Sequence, residues 1–359
     1  MTMPRVLSLV GTPRDMGRAH GAAFADEIRR YTAERVALAG SAVWTGHAME
    51  RDAVLALAEA CLDAHAAYAP ELMLELEGIA EATGLSLAEL VITNGFTDFI
   101  DLVHARGAAS GATAQVEDDC TAFLIPDALS VDGHGYLGQT WDMHAGSRPY
   151  VLLLQGRPDD GPRFMAFSLT GCVGMIGMNA AGIAVGINNL LGAEGQVGVS
   201  WPFVVRKALQ QTDIEAALAC ITDAPLMGAH NFLLADRHGA GINVEAMPGH
   251  CHITRRGAAA LVHSNHCLDA ATLRRCRPRA PASQASSEAR LARAQTLLDA
   301  GGLSAPALMA LTRDPVICVR ATPPLEMETC GAALMQPATG QFWAVQGLPT
   351  DNDYARFTV

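Results

Sequence analysis

The sequence predicts an α+β fold in which largely antiparallel sheets lie between layers of helices. Roughly the first 100 residues carry the spacing of amphipathic helices, whereas the chain beyond Cys120 is a succession of short apolar runs separated by turn residues. Half of the 359 residues are hydrophobic and only 17% are charged, so the chain can bury a large core. Runs of strands with helices placed outside them are typical of layered α+β domains.

The N-terminal helices are predicted from their caps and their apolar spacing. Thr12 is an expected N-cap, because Pro13 and Asp15 follow it at the first and third helical positions. A capping box formed by Ser86 and Glu89 opens a later helix. Between them, alanine-rich segments predict helices at about Glu50 to Tyr68 and Pro70 to Thr83.

Short strands are predicted from residue 121 onward, and two helices interrupt them. One helix begins at the capping box Thr212-Asp213-Ile214-Glu215, and the other spans about Ser287 to Ala300. The basic tract from Arg274 to Ser287 predicts a surface loop. The predicted strands are Thr121–Ile125, Tyr136–Thr140, Tyr150–Leu154, Phe164–Leu169, Gly182–Asn188, Asn231–Ala235, Gly241–Glu245, Ala259–His263, Cys330–Gln336 and Gln341–Val345.

The charge balance and the apolar runs argue against several classes of protein. A formal net charge of −12 argues against a nucleic-acid partner, because phosphate binding requires a surplus of Lys and Arg on one face. No apolar run approaches the ~20 residues of a membrane helix, and the N-terminus does not resemble a signal peptide. Nine cysteines without a CxxC pair favour reduced thiols, so we expect a cytoplasmic protein with no membrane partner.

The stretch VEDDCTAFLI, residues 116–125, places Cys120 at the start of a predicted buried strand, directly after Asp118 and Asp119. Small residues from Gly107 to Gln115 precede it and predict an exposed loop. Cleavage before Cys120 would make this cysteine a new N-terminus. Its own α-amine, whose unperturbed pKa is about 7.7–8.0, could then take the thiol proton without a separate histidine.

A series of motifs in the same order and spacing resembles one family. The motifs are GTPRDMGRAHG (Gly11–Gly21), DDCTAF, GQTWDM (Gly138–Met143), TGCVGMIGMNAAGIAVGINNL (Thr170–Leu190), HSNH (His263–His266) and the closing FWAVQGLPTDNDYARFTV. They resemble the acyl-CoA:6-aminopenicillanate (isopenicillin N) acyltransferase family, the C45 peptidase group of self-processing cysteine Ntn-hydrolases. The similarity extends over nearly the whole chain.

The resemblance implies the four-layer αββα sandwich of Ntn-hydrolases, with two antiparallel sheets. It also implies cleavage between Asp119 and Cys120 into a mainly helical segment, residues 1–119, and a catalytic core, residues 120–359, which stay associated. Cys120 is then both the self-cleavage agent and the acyl acceptor. The expected partners are a small-molecule N-acyl substrate and the cleaved segment. No cofactor is expected, although acyl-CoA is a candidate co-substrate.

The resemblance further implies which residues act with Cys120. Asp142 in GQTWDM would hold or orient the Cys120 amine, because a nearby carboxylate stabilises its charged form. Asn265 in HSNH would donate a hydrogen bond to the oxyanion of the tetrahedral intermediate. Arg320 in VICVR would act near the nucleophile.

Several further side chains are candidates for the substrate pocket. Asn179 and Asn189 lie in a glycine-rich segment that has neither a GxGxxG motif nor a Walker lysine, so its glycines suit strand turns better than phosphate binding. An apolar wall for an acyl group is predicted from large side chains that could equally belong to the core. These side chains are Trp141, Met143, Met175 and Met178.

Other interpretations stay open. A metal site could use the His and Cys residues between His250 and Cys267, but their spacing lacks a CxxC or HExxH frame, so no metal is expected. Cys172 in TGCVG is a second candidate nucleophile, without the G-x-S-x-G spacing. The chain could also be an uncleaved binding protein with the same fold. For the enzyme, hydrolysis and CoA-dependent acyl transfer stay alternatives, and the sequence does not indicate the oligomeric state.

Overall fold

The fold is given by a computed structural model that describes residues 3–107, 120–323 and 326–359. The part before residue 108 is mainly helical, as the sequence predicts, and begins with one strand. Its elements are β1 (Val6–Gly11), α1 (Pro13–Ala23), α2 (Ala25–Ala39), α3 (Ala42–Thr45), α4 (Arg51–Glu59), α5 (Leu62–Tyr68), α6 (Pro70–Thr83), α7 (Leu87–Asn94) and α8 (Phe96–Gly107).

The part from residue 120 onward carries the other strands, with helices between them. The strands are β2 (Thr121–Ile125), β3 (Tyr136–His144), β4 (Val151–Pro158), β5 (Phe164–Leu169), β6 (Ile176–Asn179), β7 (Ala184–Asn189), β8 (His230–Ala235), β9 (Gly241–Met247), β10 (His250–Arg255), β11 (Leu261–His263), β12 (Met327–Gln336), β13 (Gln341–Gln346) and β14 (Ala355–Thr358). The helices are α9 (Trp201–Ala208), α10 (Ile214–Thr222), α11 (Ala270–Leu273), α12 (Pro281–Asp299) and α13 (Ala305–Leu311).

The strands form two sheets that pack against each other. The eight-stranded sheet has the order β1-β4-β5-β6-β7-β8-β9-β10, and the six-stranded sheet has the order β11-β2-β3-β12-β13-β14. Neighbouring strands are antiparallel except β1 and β4, which run parallel with Val6 opposite Leu153. β2 and β3 contact β7 and β8, and the ring of Trp141 lies 6.1 Å from that of Phe167 between the sheets.

Helices cover the outer faces of both sheets. α12 lies on β2 and β11, and α13 lies on β12, where Phe123, Leu298 and Leu308 belong to one apolar cluster. On the opposite side, α10 contacts β8 and α1 contacts β4. The order helix, sheet, sheet, helix confirms the predicted four-layer α+β sandwich. Among the described strands, the parallel pair β1 and β4 departs from the predicted antiparallel pairing.

Local differences from the sequence predictions have simple physical causes. β1 was not predicted, because only Leu9 among its six residues is buried and the run lacks a clear apolar face. The N-cap of α10 is Asp213 rather than Thr212, since the Asp213 carboxylate accepts a hydrogen bond from Ala216 N at 2.9 Å. α12 begins at Pro281, a favourable first helical residue, so the predicted loop up to residue 287 is wrong from residue 281 onward.

The described helices lack the long apolar runs of membrane-spanning segments. The longest described helix, α12, has 19 residues and carries Glu288, Arg290 and Arg293. Within residues 3–107, 120–323 and 326–359, no helix combines the length and the apolar composition needed to cross a lipid bilayer.

α1 and α6 cross at a pair of glycines. A β-carbon on Gly17 would lie 1.9 Å from Glu75 O, and a β-carbon on Gly78 would lie 2.3 Å from Arg14 O. We expect Gly17→Ala to lower the free energy of unfolding by about 3 kcal/mol, because the clash is with main chain and outweighs the gain in helix propensity. Urea denaturation followed by circular dichroism measures this loss.

Gly257→Ala is the matched control for this prediction. Nothing lies within 4 Å of a β-carbon at Gly257, and its φ lies outside the left-handed region. We expect its unfolding free energy to stay within about 0.5 kcal/mol of the wild type. Equal stabilities of the two variants would show that α1 and α6 can move apart without cost.

Candidate active site

Cys120 lies directly before β2, in the part of the fold where β2 faces β7 of the other sheet. Its sulfur contacts the main chain of Asp142 on β3: Asp142 N donates to Sγ at 3.5 Å, and Sγ lies 3.8 Å from Asp142 O. Cys120 is only 2% exposed. The sulfur is therefore held between the main-chain N–H and the carbonyl of one residue of β3.

The carbonyl oxygen of Cys120 accepts hydrogen bonds from two side chains on other elements. Arg290 Nη1 of α12 donates at 2.6 Å, and Asn188 Nδ2 of β7 donates at 3.2 Å. Asn231 of β8 donates in turn to Asn188 Oδ1 at 3.4 Å. The main chain at Cys120 is therefore fixed by both sheets and by α12.

Arg290 joins Cys120 to Asn265. Besides its bond to Cys120 O, Nη1 donates to Thr121 Oγ1 at 3.0 Å, and Nη2 donates to Asn265 Oδ1 at 3.1 Å. The Arg290 side chain is buried. A buried guanidinium at this point supplies a fixed positive charge next to the position where an oxyanion would form.

Asn265, in the loop after β11, is held through both its main chain and its side chain. Asn265 N donates to Ser287 Oγ at 2.9 Å, and Arg279 Nη1 donates to Asn265 O at 2.8 Å. Asn265 Nδ2 donates to Asn189 O at 3.2 Å, which uses one of its two amide hydrogens. The second hydrogen is the group that could donate to an oxyanion.

A buried carboxylate, Glu245 of β9, supports the loop that carries Asn265. Glu245 Oε1 lies 3.0 Å from His263 Nε2, Thr272 Oγ1 donates to Glu245 Oε2, and His263 Nδ1 lies 2.8 Å from Ser264 O. Burial acts to raise the pKa of Glu245, but hydrogen bonds from His263 and Thr272 outweigh it and lower this pKa to about 2. The carboxylate therefore stays charged and anchors the loop.

Asp142 lies at an irregularity of the six-stranded sheet. Thr329 of β12 pairs with Asp142 and Gly331 pairs with Trp141, so Cys330 is an extra residue that forms a β-bulge. The Asp142 side chain is fully buried. Bulges commonly occur next to active sites, where they redirect side chains. The predicted role of Asp142 at the Cys120 amine stays a prediction.

Two other buried cysteines are poorly suited as nucleophiles. Burial raises the pKa of the Cys172 thiol to about 11, and it raises the pKa of the Cys330 thiol well above its usual value. A thiol with a raised pKa carries little thiolate at neutral pH. Cys172, the second candidate nucleophile, is therefore mostly a neutral thiol at neutral pH.

The arginine that contacts Cys120 is Arg290, whereas the sequence resemblance points to Arg320. Arg320 is exposed, and its guanidinium donates to both carboxylate oxygens of Asp351, at 2.5 Å and 3.1 Å. The sequence does contain a signal for Arg290. Its helical spacing places it on the same face of α12 as small and apolar residues, and a charged residue on a buried face indicates a buried partner. The buried stripe of α12 is Ser287, Arg290, Ala294 and Leu298.

The predicted pocket asparagines differ in their distance from the site. Asn189 accepts a hydrogen bond from Asn265 through its main-chain oxygen, and its Oδ1 has no hydrogen-bond partner among the described residues. Asn179 donates to two main-chain carbonyls at the end of α9, at 2.8 and 2.7 Å, so the structure gives it a local bracing role. The side chain that contacts Cys120 is that of Asn188 and not that of Asn189. The two residues are neighbours on β7, so their side chains face opposite sides of the sheet.

The predicted apolar wall is part of the space between the sheets. Trp141 and Met143 are buried and share one face of β3, and the ring of Trp141 lies 6.1 Å from that of Phe167 on β5. Their role in acyl binding stays a prediction. Asp119, the predicted partner of Cys120 in cleavage, lies outside the described residues.

A cavity of about 290 Å³ opens beside Asn265. Its lining includes His266, Arg277 and Gln284, and Arg277 Nη2 donates to Asp101 Oδ1 at 3.1 Å. The volume lies near the lower end of the range for small-molecule sites. The cavity is therefore large enough for part of a small substrate.

The histidines of the alternative metal site each contact a different carboxylate instead of sharing one site. His263 lies against Glu245, and His252 Nδ1 lies 3.3 Å from Asp269 Oδ2. In the described ranges of the chain, no three His, Cys, Asp or Glu side chains are close enough together to hold a metal ion.

Comparisons with known proteins agree on one family. The family described as "Acyl-coenzyme A:6-aminopenicillanic acid acyl-transferase" matches residues 130–315, just over half of the chain. A protein of Emericella nidulans named "Acyl-coenzyme A:6-aminopenicillanic-acid-acyltransferase 40 kDa form" is 25% identical over 261 residues, which cover 72% of this chain and 68% of that protein.

Solved structures similar to this one include two hydrolases. Penicillin V acylase from Agrobacterium tumefaciens has a TM-score of 0.48 at 14% identity, over 67% of this chain and 86% of that chain. A variant of conjugated bile acid hydrolase from Clostridium perfringens has a TM-score of 0.44 at 11% identity, over 67% of this chain and 97% of that chain.

The range matched by the family includes most of the side chains around Cys120. Asp142, Asn188, Asn265 and Arg290 all lie between residues 130 and 315. The match therefore covers the neighbours of Cys120 on β3, β7, α12 and the Asn265 loop, whereas Cys120 and β2 lie just before it. Because the match extends over more than half of the chain, the chain belongs to the acyl-coenzyme A:6-aminopenicillanic acid acyl-transferase family.

Proposed function

We propose that this chain is a self-cleaving N-terminal-cysteine enzyme that hydrolyses or transfers the acyl group of a small N-acyl compound through an acyl-enzyme on Cys120. Membership of an acyltransferase family supports acyl transfer or amide hydrolysis as the reaction class. The single observation that carries the proposal is the position of Arg290. It donates to Cys120 O and to Asn265 Oδ1, and so joins the candidate nucleophile to the candidate oxyanion donor.

Self-cleavage is the first step of the proposed reaction sequence. The Cys120 thiol attacks the carbonyl carbon of Asp119, the amide nitrogen of Cys120 leaves as its amine, and a thioester forms. Water then hydrolyses the thioester, which releases the first fragment with a new α-carboxylate on Asp119 and restores the thiol of Cys120. The Asp142 N–H, 3.5 Å from Sγ, stabilises the attacking thiolate.

In turnover, the new α-amine of Cys120 takes the thiol proton, with Asp142 as the carboxylate that orients this amine. The thiolate attacks the acyl carbon of the substrate. The oxyanion that forms accepts a hydrogen bond from Asn265 Nδ2, beside the charge of Arg290. The amine half of the substrate takes the proton and leaves, and the acyl group stays on Sγ as a thioester. Water completes hydrolysis, whereas a second amine completes acyl transfer.

Substrate binding is proposed for the space around Cys120 and the cavity beside Asn265. Trp141 and Met143 would contact the acyl group, and Asn189 Oδ1 would accept a hydrogen bond from the amine half. The mechanism requires no metal and no cofactor, and acyl-CoA is a candidate acyl donor for the transfer reaction. A reactive thiol of this kind suits a cytoplasmic location.

Intact-mass spectrometry and a denaturing gel of the purified wild-type chain test the proposal. We expect two fragments, the larger beginning with Cys120, that elute together from a size-exclusion column. An active preparation consisting of one unbroken chain would contradict the mechanism. An unbroken, inactive chain that still binds N-acyl compounds would favour the binding-protein alternative. Turnover in the presence of a second primary amine separates the two reactions, because acyl transfer yields a new amide and hydrolysis yields the free acid.

A further inference from the structure

Two cysteines that the proposed reaction does not use, Cys267 and Cys276, lie side by side in the wall of the cavity beside Asn265. Their sulfur atoms are 3.1 Å apart, and both residues line the cavity. Cys267 is buried, whereas Cys276 is half-buried and so within reach of solvent. Adjacent thiols of which one is accessible can be linked by thiol–disulfide exchange.

The two cysteines lie at the two ends of the short segment that follows Asn265, and the far end of this segment contacts the continuation of β7. Cys267 follows Asn265 by two residues. Cys276 forms an isolated antiparallel bridge with Gly192, three residues beyond Asn189 at the end of β7. A bond between the sulfur atoms would join the loop of Asn265 to Cys276, and through the bridge of Cys276 with Gly192 it would brace this loop against the continuation of β7. The disulfide would thus stabilise the contact between Asn265 Nδ2 and Asn189 O, which are 3.2 Å apart.

The environment also assigns an order to the two thiols. The hydrogen bond with Cys276, followed by burial, raises the pKa of Cys267, which therefore stays protonated until its partner has reacted. Cys276 is the accessible member of the pair and is the one that an external disulfide meets first.

We propose that Cys267 and Cys276 form a reversible disulfide that fixes the wall of the cavity beside Asn265. The oxidant is glutathione disulfide. The Cys276 thiolate attacks one of its sulfur atoms and expels a glutathione thiolate. Cys267 then loses its proton to solvent, attacks the Cys276 sulfur of the mixed disulfide and expels the second glutathione thiolate. Two protein thiols are oxidised, and one glutathione disulfide is reduced to two glutathione molecules.

The disulfide closes a short loop that is already well ordered, so the oxidised protein should keep its fold. The loop contains α11, which Asp269 caps by accepting hydrogen bonds from Ala271 N and Thr272 N at 2.8 and 3.2 Å. Closing a loop of this length restricts the unfolded chain. The importance of this wall for catalysis rests on the proposed function, but the formation of the disulfide does not.

Peptide mapping of the wild-type protein treated with glutathione disulfide tests the proposal. Trypsin cuts after Arg274 and Arg275, between the two cysteines, so a disulfide joins two separate peptides. We expect this linked pair after alkylation under denaturing conditions, its loss on reduction, and a reversible rise in Tm of about 5 °C.

Single variants resolve the two exchange steps. Cys276→Ala should give neither a linked pair nor a reversible shift in Tm, whereas Cys267→Ala should accumulate glutathione on Cys276. Cys251→Ala, at a half-buried cysteine on β10, is the matched control and should behave as the wild type.

Two outcomes would overturn the proposal. One is a wild-type protein in which both thiols stay open to alkylation after oxidation. The other is a stable glutathione adduct on Cys276 with no linked pair. Because the test detects a peptide linkage and not turnover, either result is independent of whether the chain is cut before Cys120.

Discussion

Cys120→Ala is expected to leave the chain whole and to lower turnover by about 10⁴-fold or more, because it removes the atom that attacks in both proposed reactions. The sulfur is the group that Asp142 N contacts at 3.5 Å, and its loss should leave the packing of β2 against β3 intact. Intact mass reports cleavage. Release of p-nitroaniline from a panel of N-acyl p-nitroanilides with short, long and aromatic acyl groups reports turnover.

Two companion variants sharpen this test. Cys120→Ser retains a weaker nucleophile at the same position, so we expect slow but detectable cleavage before residue 120. Cys251→Ala removes a half-buried thiol from β10, and both cleavage and turnover should match the wild type. Wild-type turnover by Cys120→Ala would remove Cys120 from the mechanism and direct attention to Cys172.

Arg290→Met is expected to lower kcat by about 10²- to 10³-fold, because it removes the fixed charge beside the oxyanion position. The change also breaks the contacts that hold Cys120 O at 2.6 Å and Asn265 Oδ1 at 3.1 Å. Arg290→Lys keeps the charge, but one ammonium group does not reproduce the planar fork that reaches both oxygens, so an intermediate loss is expected. Steady-state kinetics on the processed enzyme, with a thermal melt of each variant, separates catalysis from folding.

Arg293→Met is the matched control on the same helix. Arg293 lies three residues after Arg290, is partly exposed and pairs with Asp314 at 2.7 Å. We expect its turnover to stay within about twofold of the wild type, since its guanidinium pairs with Asp314 rather than with Cys120 or Asn265. Arg320→Met provides the decisive comparison. If Arg320→Met loses more turnover than Arg290→Met, the result would support Arg320, the arginine suggested by the sequence resemblance. It would contradict Arg290, the arginine that contacts Cys120.

The layered fold was predictable because its signals are local. The Thr12 N-cap and the Ser86 capping box are both present in the structure, and the strand limits of β2 and β5 agree with the prediction. The pairing of β1 with β4 was not predictable in the same way. It joins residues about 150 positions apart, and β1 lies at the edge of its sheet with a single buried side chain, so its sequence carries little periodic signal.

The site was predictable only in part, for a related reason. Cys120 and Asn265 belong to short motifs, and the structure connects them through Arg290. Arg290 itself is separated from Cys120 by 170 positions, and it meets Cys120 only because α12 crosses the outer face of β2 and β11. Asn188 was passed over for its neighbour Asn189, because the sequence does not say which side of β7 faces the other sheet.

The strand β1 attaches the N-terminal helical segment to the eight-stranded sheet. β1 forms main-chain hydrogen bonds with β4, and Glu75 of α6 forms a buried ion pair with Arg206 of α9 at 3.0 Å. If the chain is cut before Cys120, as proposed, these contacts join two polypeptides, and the denatured enzyme would have to reassemble by a bimolecular encounter. Refolding of the cut enzyme should then slow on dilution, while refolding of the uncut precursor should be independent of concentration.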